Sequence, residues 1–133
     1  MTKQFAAAVR NAALDAIETV IGTTPILKLR TGAAPANADA ADTGTVLASI
    51  TLPSDWMSNA ASGVKSLLGT WSGTASAAGT VGHYRLYKAD GTTIMEQGSV
   101  TATGGGGDMT LDNTVLASGQ SVNITGFTDT FAA

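Results

Sequence analysis

The chain has 133 residues, room for one domain, and only 13% of them are charged, seven basic against ten acidic for a net charge of -3. That balance argues against a nucleic-acid partner, because Lys3, Arg10, Lys28, Arg30, Lys65, Arg85 and Lys88 are scattered and form no stripe that would displace phosphate counterions. With no cysteine there is neither a disulfide framework nor a thiolate metal site, and no apolar run approaches the ~20 residues of a membrane span, so the expectation is a soluble protein without membrane contact.

Phe5, Val9, Ala13, Ala16, Ile17 and Val20 recur at three- and four-residue spacing, with Gln4, Asn11, Asp15 and Glu18 opposite. This predicts an amphipathic helix over residues 2–21, with Thr2 as N-cap and Gly22 and Pro25 ending it. Its narrow stripe of mostly small apolar residues suits packing on its own sheet, or on another subunit.

A strand follows over residues 25–30, with Leu27 and Leu29 on one face and Lys28 and Arg30 on the other. Residues 31–42, TGAAPANADAAD, have no period and carry Gly, Pro, Asn and Asp, so they read as a long loop, a common place for binding. Residues 45–52 form a second strand with Val46, Ala48, Ile50 and Leu52 inward; Ser54-Asp55-Trp56-Met57 begins a short helical turn. Residues 64–74 read as one bent strand or two short ones, with Trp71 in the core.

The clearest pairing lies in residues 80–103. Val81, His83, Arg85 and Tyr87 alternate with Tyr84, Leu86 and Lys88, Asp90-Gly91 supplies positive φ angles for a tight hairpin, and the return strand continues past a bulge at Gly98. Gly104, Gly105, Gly106 and Gly107 are costly to order, so they form a flexible tip or a place where another backbone comes close; their deletion is expected to leave the fold intact. Short segments at 109–111 and 115–116 and a last strand over 120–127, with Val122, Ile124 and Phe127 inward, complete the chain.

Seven or eight short strands separated by turn signals, preceded by one helix, predict a mainly β fold: an antiparallel β-sandwich or jelly roll over residues 23–133 with the helix in residues 1–22, a single domain overall.

No catalytic set can be named. His83 is the only histidine and reads as a sheet-face or core residue. Asp108, Asp112 and Asn113 lack the spacing and closing glutamate of an EF-hand and read as turn formers rather than calcium ligands. The glycine run lacks the Gly-Lys-Ser/Thr of a phosphate loop. Tyr84, Tyr87 and Trp71 fit core packing better than a sugar-stacking platform. The expectation is a non-enzyme with no cofactor and no bound metal.

The wording RNAALDAIETVIGTTPILKLRTGAAPANADAADTGTVLASITLPSDWM, the GHYRLY strand, and GGGGDMTLDNT before GQSVNITGF resemble small structural proteins of tailed bacteriophages, over nearly the whole chain. Within that group the chain looks most like capsid cement or decoration proteins of jelly-roll type. The resemblance implies a virion location on the outer surface of the capsid, with an HK97-like major capsid protein and further copies of the chain itself as partners. It carries no catalytic residues. A low-charge surface of small residues suits coverage by neighbours, and the expected contacts are Phe5 and Val9 on the helix, Pro35 and Asn37 in the long loop, and Gly104, Gly105, Gly106, Gly107 and Asp108 at the glycine turn. The alternatives are a tail or baseplate structural protein and a glycan-binding virion module.

Overall fold

The computed structural model describes residues 1–133. Helix α1 (Ala7–Ile21) leads into nine strands: β1 (Ile26–Thr31), β2 (Val46–Thr51), β3 (Val64–Ser66), β4 (Ser72–Thr74), β5 (Gly79–Tyr87), β6 (Ile94–Ala102), β7 (Met109–Leu111), β8 (Val115–Leu116) and β9 (Ser121–Thr130). The hydrogen-bonded path runs β2-β1-β5-β6-β7-β9-β3, with β4 also on β9 and β8 on β5.

The mainly β expectation holds. The strands join in one curled, mixed sheet, however, and the pairing does not describe a clear antiparallel sandwich of two sheets. Curling brings the sheet back on itself: β4 pairs with β9, and just beyond it Ala75 bridges Ala48 of β2 while the Ser76 amide donates to the Leu47 carbonyl at 2.8 Å. The interior is filled by one apolar cluster that includes Leu27, Leu29, Ile50, Trp56, Trp71, Tyr84 and Phe127. Trp71 lies between Trp56 and Phe127, with centroids 6.0 and 5.1 Å away, and Tyr84 meets Phe127 edge-on at 5.6 Å.

The β5–β6 pairing follows the expected alternation, with His83 opposite Ser99, Arg85 opposite Gln97 and Leu86 opposite Glu96. Two local details differ. The register shift falls between Leu86 and Tyr87, and β6 runs through Gly98 unbroken. The turn is also wider than a two-residue hairpin: the Lys88 amide donates to the Thr93 carbonyl, Gly91 alone has a positive φ, and Asp90 acts through its carboxylate, which accepts from the Thr92 and Thr93 amides. Those bonds, with the Thr93 hydroxyl foremost, hold the Asp90 carboxyl down at about 2.

Other boundaries move for nameable reasons. α1 starts at Ala7 with an uncapped Ala6 before it, so Thr2 is not its N-cap. Trp56 sits in an extended stretch rather than a helical turn, and its Nε1 donates to the Gly22 carbonyl at 2.9 Å, fastening the end of α1 to the core.

The glycine run makes the one parallel connection. β7 lies beside β6 in the same direction, Val100 opposite Met109 and Ala102 opposite Leu111, joined by only the residues between Ala102 and Met109. Parallel neighbours ordinarily need a crossover of a dozen or more residues. Here the chain doubles back against β6: Gly104 and Gly106 take φ of 87° and 81°, and a Cβ on Gly105 or Gly107 would lie 2.7 or 2.9 Å from Thr101 atoms. Of the two expected roles, the close approach of another backbone is the one seen, and that backbone is the chain's own.

Candidate functional site

β5 is buried on both faces from His83 to Tyr87, because residues 32–44 fold over the side of the sheet that carries Arg30, His83, Arg85 and Tyr87. Asp42 is the hub beneath that loop. Its carboxylate lies 2.9 Å from Arg30 Nη2 and 3.0 Å from Arg85 Nε, and it accepts the Tyr87 hydroxyl at 2.6 Å. Arg85 Nη2 donates to the Ala38 and Ala40 carbonyls, Arg85 Nη1 to Gln97 Oε1, and Gln97 Nε2 to the Pro35 carbonyl. His83 Nδ1 lies 2.8 Å from the Gly32 carbonyl, which makes it the protonated ring nitrogen of a buried structural histidine. Burial opposes the Asp42 charge, but the Tyr87 hydroxyl and the two guanidinium groups outweigh it and leave its pKa below the ordinary carboxylate range. The long loop is therefore pinned by its backbone carbonyls while much of its outer side stays in solvent: Asn37 is exposed, as are Ala36 and Asp39, and Pro35 is half-buried.

Of the expected apolar stripe of α1, Ile17 packs against the core, but most of the rest turns away from it. At 3.6 residues per turn Val9, Ala13, Ala16 and Val20 fall within about 60° of one another, and this stripe faces away from the domain, with Val9 and Val20 more than half exposed. Toward the domain lie Leu14 and Ile21, the two buried residues of the helix, and the polar side expected to face solvent. Asn11 Oδ1 accepts the Gly63 amide at 2.9 Å, Asp15 Oδ1 accepts the Ala60 amide at 3.0 Å and Lys65 Nζ at 2.7 Å, and Glu18 Oε2 lies 3.3 Å from the same ammonium. The physical reason is the turn at residues 58–63, which presents backbone amides and a buried lysine to the helix and so draws acceptors inward. Lys65→Met is expected to destabilise the contact of α1 with the domain, because Glu18 Oε2 and the Ser58 carbonyl lose their cation, and to raise amide exchange across α1 before the sheet; unchanged exchange in α1 would refute this anchor.

The outward stripe borders a shallow apolar groove of about 320 Å³, lined by Ala13, Ala16, Ile17, Val20, Ile21 and Met95, with no charged side chain in its walls. No nucleophile, acid or base lines it.

The expected contact residues are thus distributed rather than assembled. Phe5 precedes the helix and stacks edge-on with Phe131 at 5.8 Å, while Val9 belongs to the outward stripe. Asp108 Oδ2 accepts the amide and hydroxyl of Ser99, clamping the glycine turn to β6. Asp112 binds the Asn113 amide and the Asn123 side chain, and Asn113 binds the Val115 amide, so the residues weighed as calcium ligands are turn formers serving separate partners. Trp71, Tyr84 and Tyr87 are buried and present no sugar platform. Sequence reasoning missed the Asp42 hub. Its signal was the pair of basic residues, Arg30 and Arg85, on one face of neighbouring strands, followed by a loop carrying Asp39 and Asp42.

No family model matches the chain, and no curated protein or solved structure does either.

Proposed function

We propose that this protein is a structural component of a tailed-bacteriophage virion, a decoration protein that docks on the outside of the capsid and bridges subunits of an HK97-like major capsid protein. The observation that carries the proposal is the outward apolar stripe of α1 with its uncharged groove, joined to the sequence resemblance. An exposed row of Val9, Ala13, Ala16 and Val20 costs solubility unless something covers it. The helix's own charges, Arg10, Asp15 and Glu18, are engaged with the domain, which leaves the stripe free for an apolar surface of the shell. The exposed tip at Asn37 supplies a second, polar contact. Repetition over the shell multiplies a contact that is weak in each copy.

The double substitution Ala13→Asp/Val20→Asp tests this. Both positions border the outward groove, so folding stability is expected to fall by only about 1 kcal/mol, mostly the lower helix propensity of Asp, while occupancy on purified tail-less heads falls at least about tenfold, the equivalent of 1.4 kcal/mol. Hundreds of parent copies per head are expected by quantitative mass spectrometry. A few copies, lost together with the tail, would transfer the protein to the tail, and full occupancy of the double variant would remove α1 from the contact.

A further inference from the structure

A second polar cluster lies on the core side of the sheet, where β5, β6 and β9 meet the glycine turn. The Tyr84 hydroxyl donates to Glu96 Oε2 at 2.7 Å. Gly98, directly opposite Tyr84 in the pairing, has no side chain, and a Cβ there would lie 2.9 Å from both the Tyr84 hydroxyl and Asp108 Oδ2, so the phenol and the Asp108 carboxylate flank one spot. From β9, Asp129 brings a third carboxylate whose Oδ2 is buried with no hydrogen-bond partner. The cation nearest in the pairing is Lys65, opposite Asp129, and its ammonium is already shared among Asp15 Oδ1 at 2.7 Å, the Ser58 carbonyl at 2.8 Å and Glu18 Oε2 at 3.3 Å. Three carboxylates therefore converge with one phenol and no free positive charge among them.

We propose that Glu96, Asp108 and Asp129 form a proton-operated latch on the parallel crossover: with a proton on Glu96 the glycine turn is clamped to β6, and loss of that proton loosens it. The clamp is the reciprocal pair in which Asp108 Oδ2 accepts the Ser99 amide and hydroxyl while the Asp108 amide donates to Ser99 Oγ. Adding a negative charge at Glu96 places repulsion on the acceptor of that pair, and the chain at Gly107, held by its amide to Thr101 Oγ1, opens with it. Burial first, then the charges of Asp129 and Asp108, push the Glu96 carboxyl up to about 7 against the opposing hydrogen bond from Tyr84, so the latch works around neutrality. The proton exchanges with solvent.

Amide hydrogen exchange of Ser99 and Gly107, corrected for intrinsic rates and followed from about pH 5.5 to about pH 8.5, reads the latch directly. Protection is expected to fall about tenfold, one unit of charge coupling, with its midpoint near the Glu96 value. Asp129→Asn removes a like charge and lowers the midpoint. Tyr84→Phe removes a donor that favours the ionised form and raises it. Glu96→Gln abolishes the pH dependence, and should that variant not fold, the opposed shifts of the other two still decide. Flat protection in the parent chain, or a midpoint unmoved by both Asp129→Asn and Tyr84→Phe, overturns the proposal.

Discussion

Asp42→Ala is expected to destabilise the fold by about 2–3 kcal/mol, less than the ~3–5 kcal/mol for breaking a fully buried ion pair, because the Asp42 side chain is 40% exposed and solvent screens its charge. The loss arises in what remains: Arg30 and Arg85, both almost fully buried, would face each other without a counter-charge, and the Tyr87 hydroxyl would lose its acceptor. Chemical denaturation should show a lower midpoint with a similar slope, because the core cluster is on the other face of the sheet. A loss below 1 kcal/mol would mean that solvent reaches the two guanidinium groups and that the loop carbonyls alone hold residues 32–44. Acid should reproduce the substitution in part. Since Asp42 titrates below the ordinary aspartate value of 3.8 when folded, its contribution is present above that value and is lost as pH falls through the lower folded one. Glu96 works in the opposite sense. Its folded pKa is raised from 4.5 to about 7, so its contribution is present below 4.5 and is lost as pH rises toward 7. Together the two place their joint maximum at about pH 4, between the 3.8 above which Asp42 contributes and the 4.5 below which Glu96 does.

Deleting residues 104–107 is expected to have the larger effect of the two, namely loss of cooperative folding. With those residues gone, only Thr103 and Asp108 would join Ala102 to Met109, too little chain to double back and bring Met109 beside Val100. β7 links β6 to β9, so losing it opens the curled sheet along its length. Far-ultraviolet circular dichroism and a thermal scan check this, and a cooperative transition at the parent midpoint would sink it. Single substitutions divide the effect. Gly106→Ala, in open space but at a positive φ, should cost about 1 kcal/mol, whereas Gly105→Ala must also push against Thr101 and should cost about 1–3 kcal/mol. The run that looked like a removable tip is therefore a structural crossover, and its length matters more than its flexibility.

By itself the sequence determined the local elements. Two-residue alternation predicted β5 and β6 and their partnership, the Asp90-Gly91 turn placed the reversal, and three-to-four spacing predicted a helix ending at Gly22. These are local because the period of a strand or helix and the preferences of Gly and Asp act over a few residues. The inward rows of β1, β2 and β9 were legible too, and tertiary structure decided instead how α1 is turned and which polar groups are covered. The apolar stripe of α1 faces outward because backbone amides at Ala60 and Gly63 and the Lys65 ammonium needed acceptors, and Asn11, Asp15 and Glu18 supplied them. Arg30 and Arg85 are buried because the Asp42 loop folds over them, an arrangement that depends on residues 12 to 45 positions apart. The parallel course of β6 and β7 likewise became visible only once the chain's return past Thr101 was in view. In each case the deciding interaction joins groups distant in sequence, where satisfying a buried donor or charge outweighs the hydropathy of the segment that carries it.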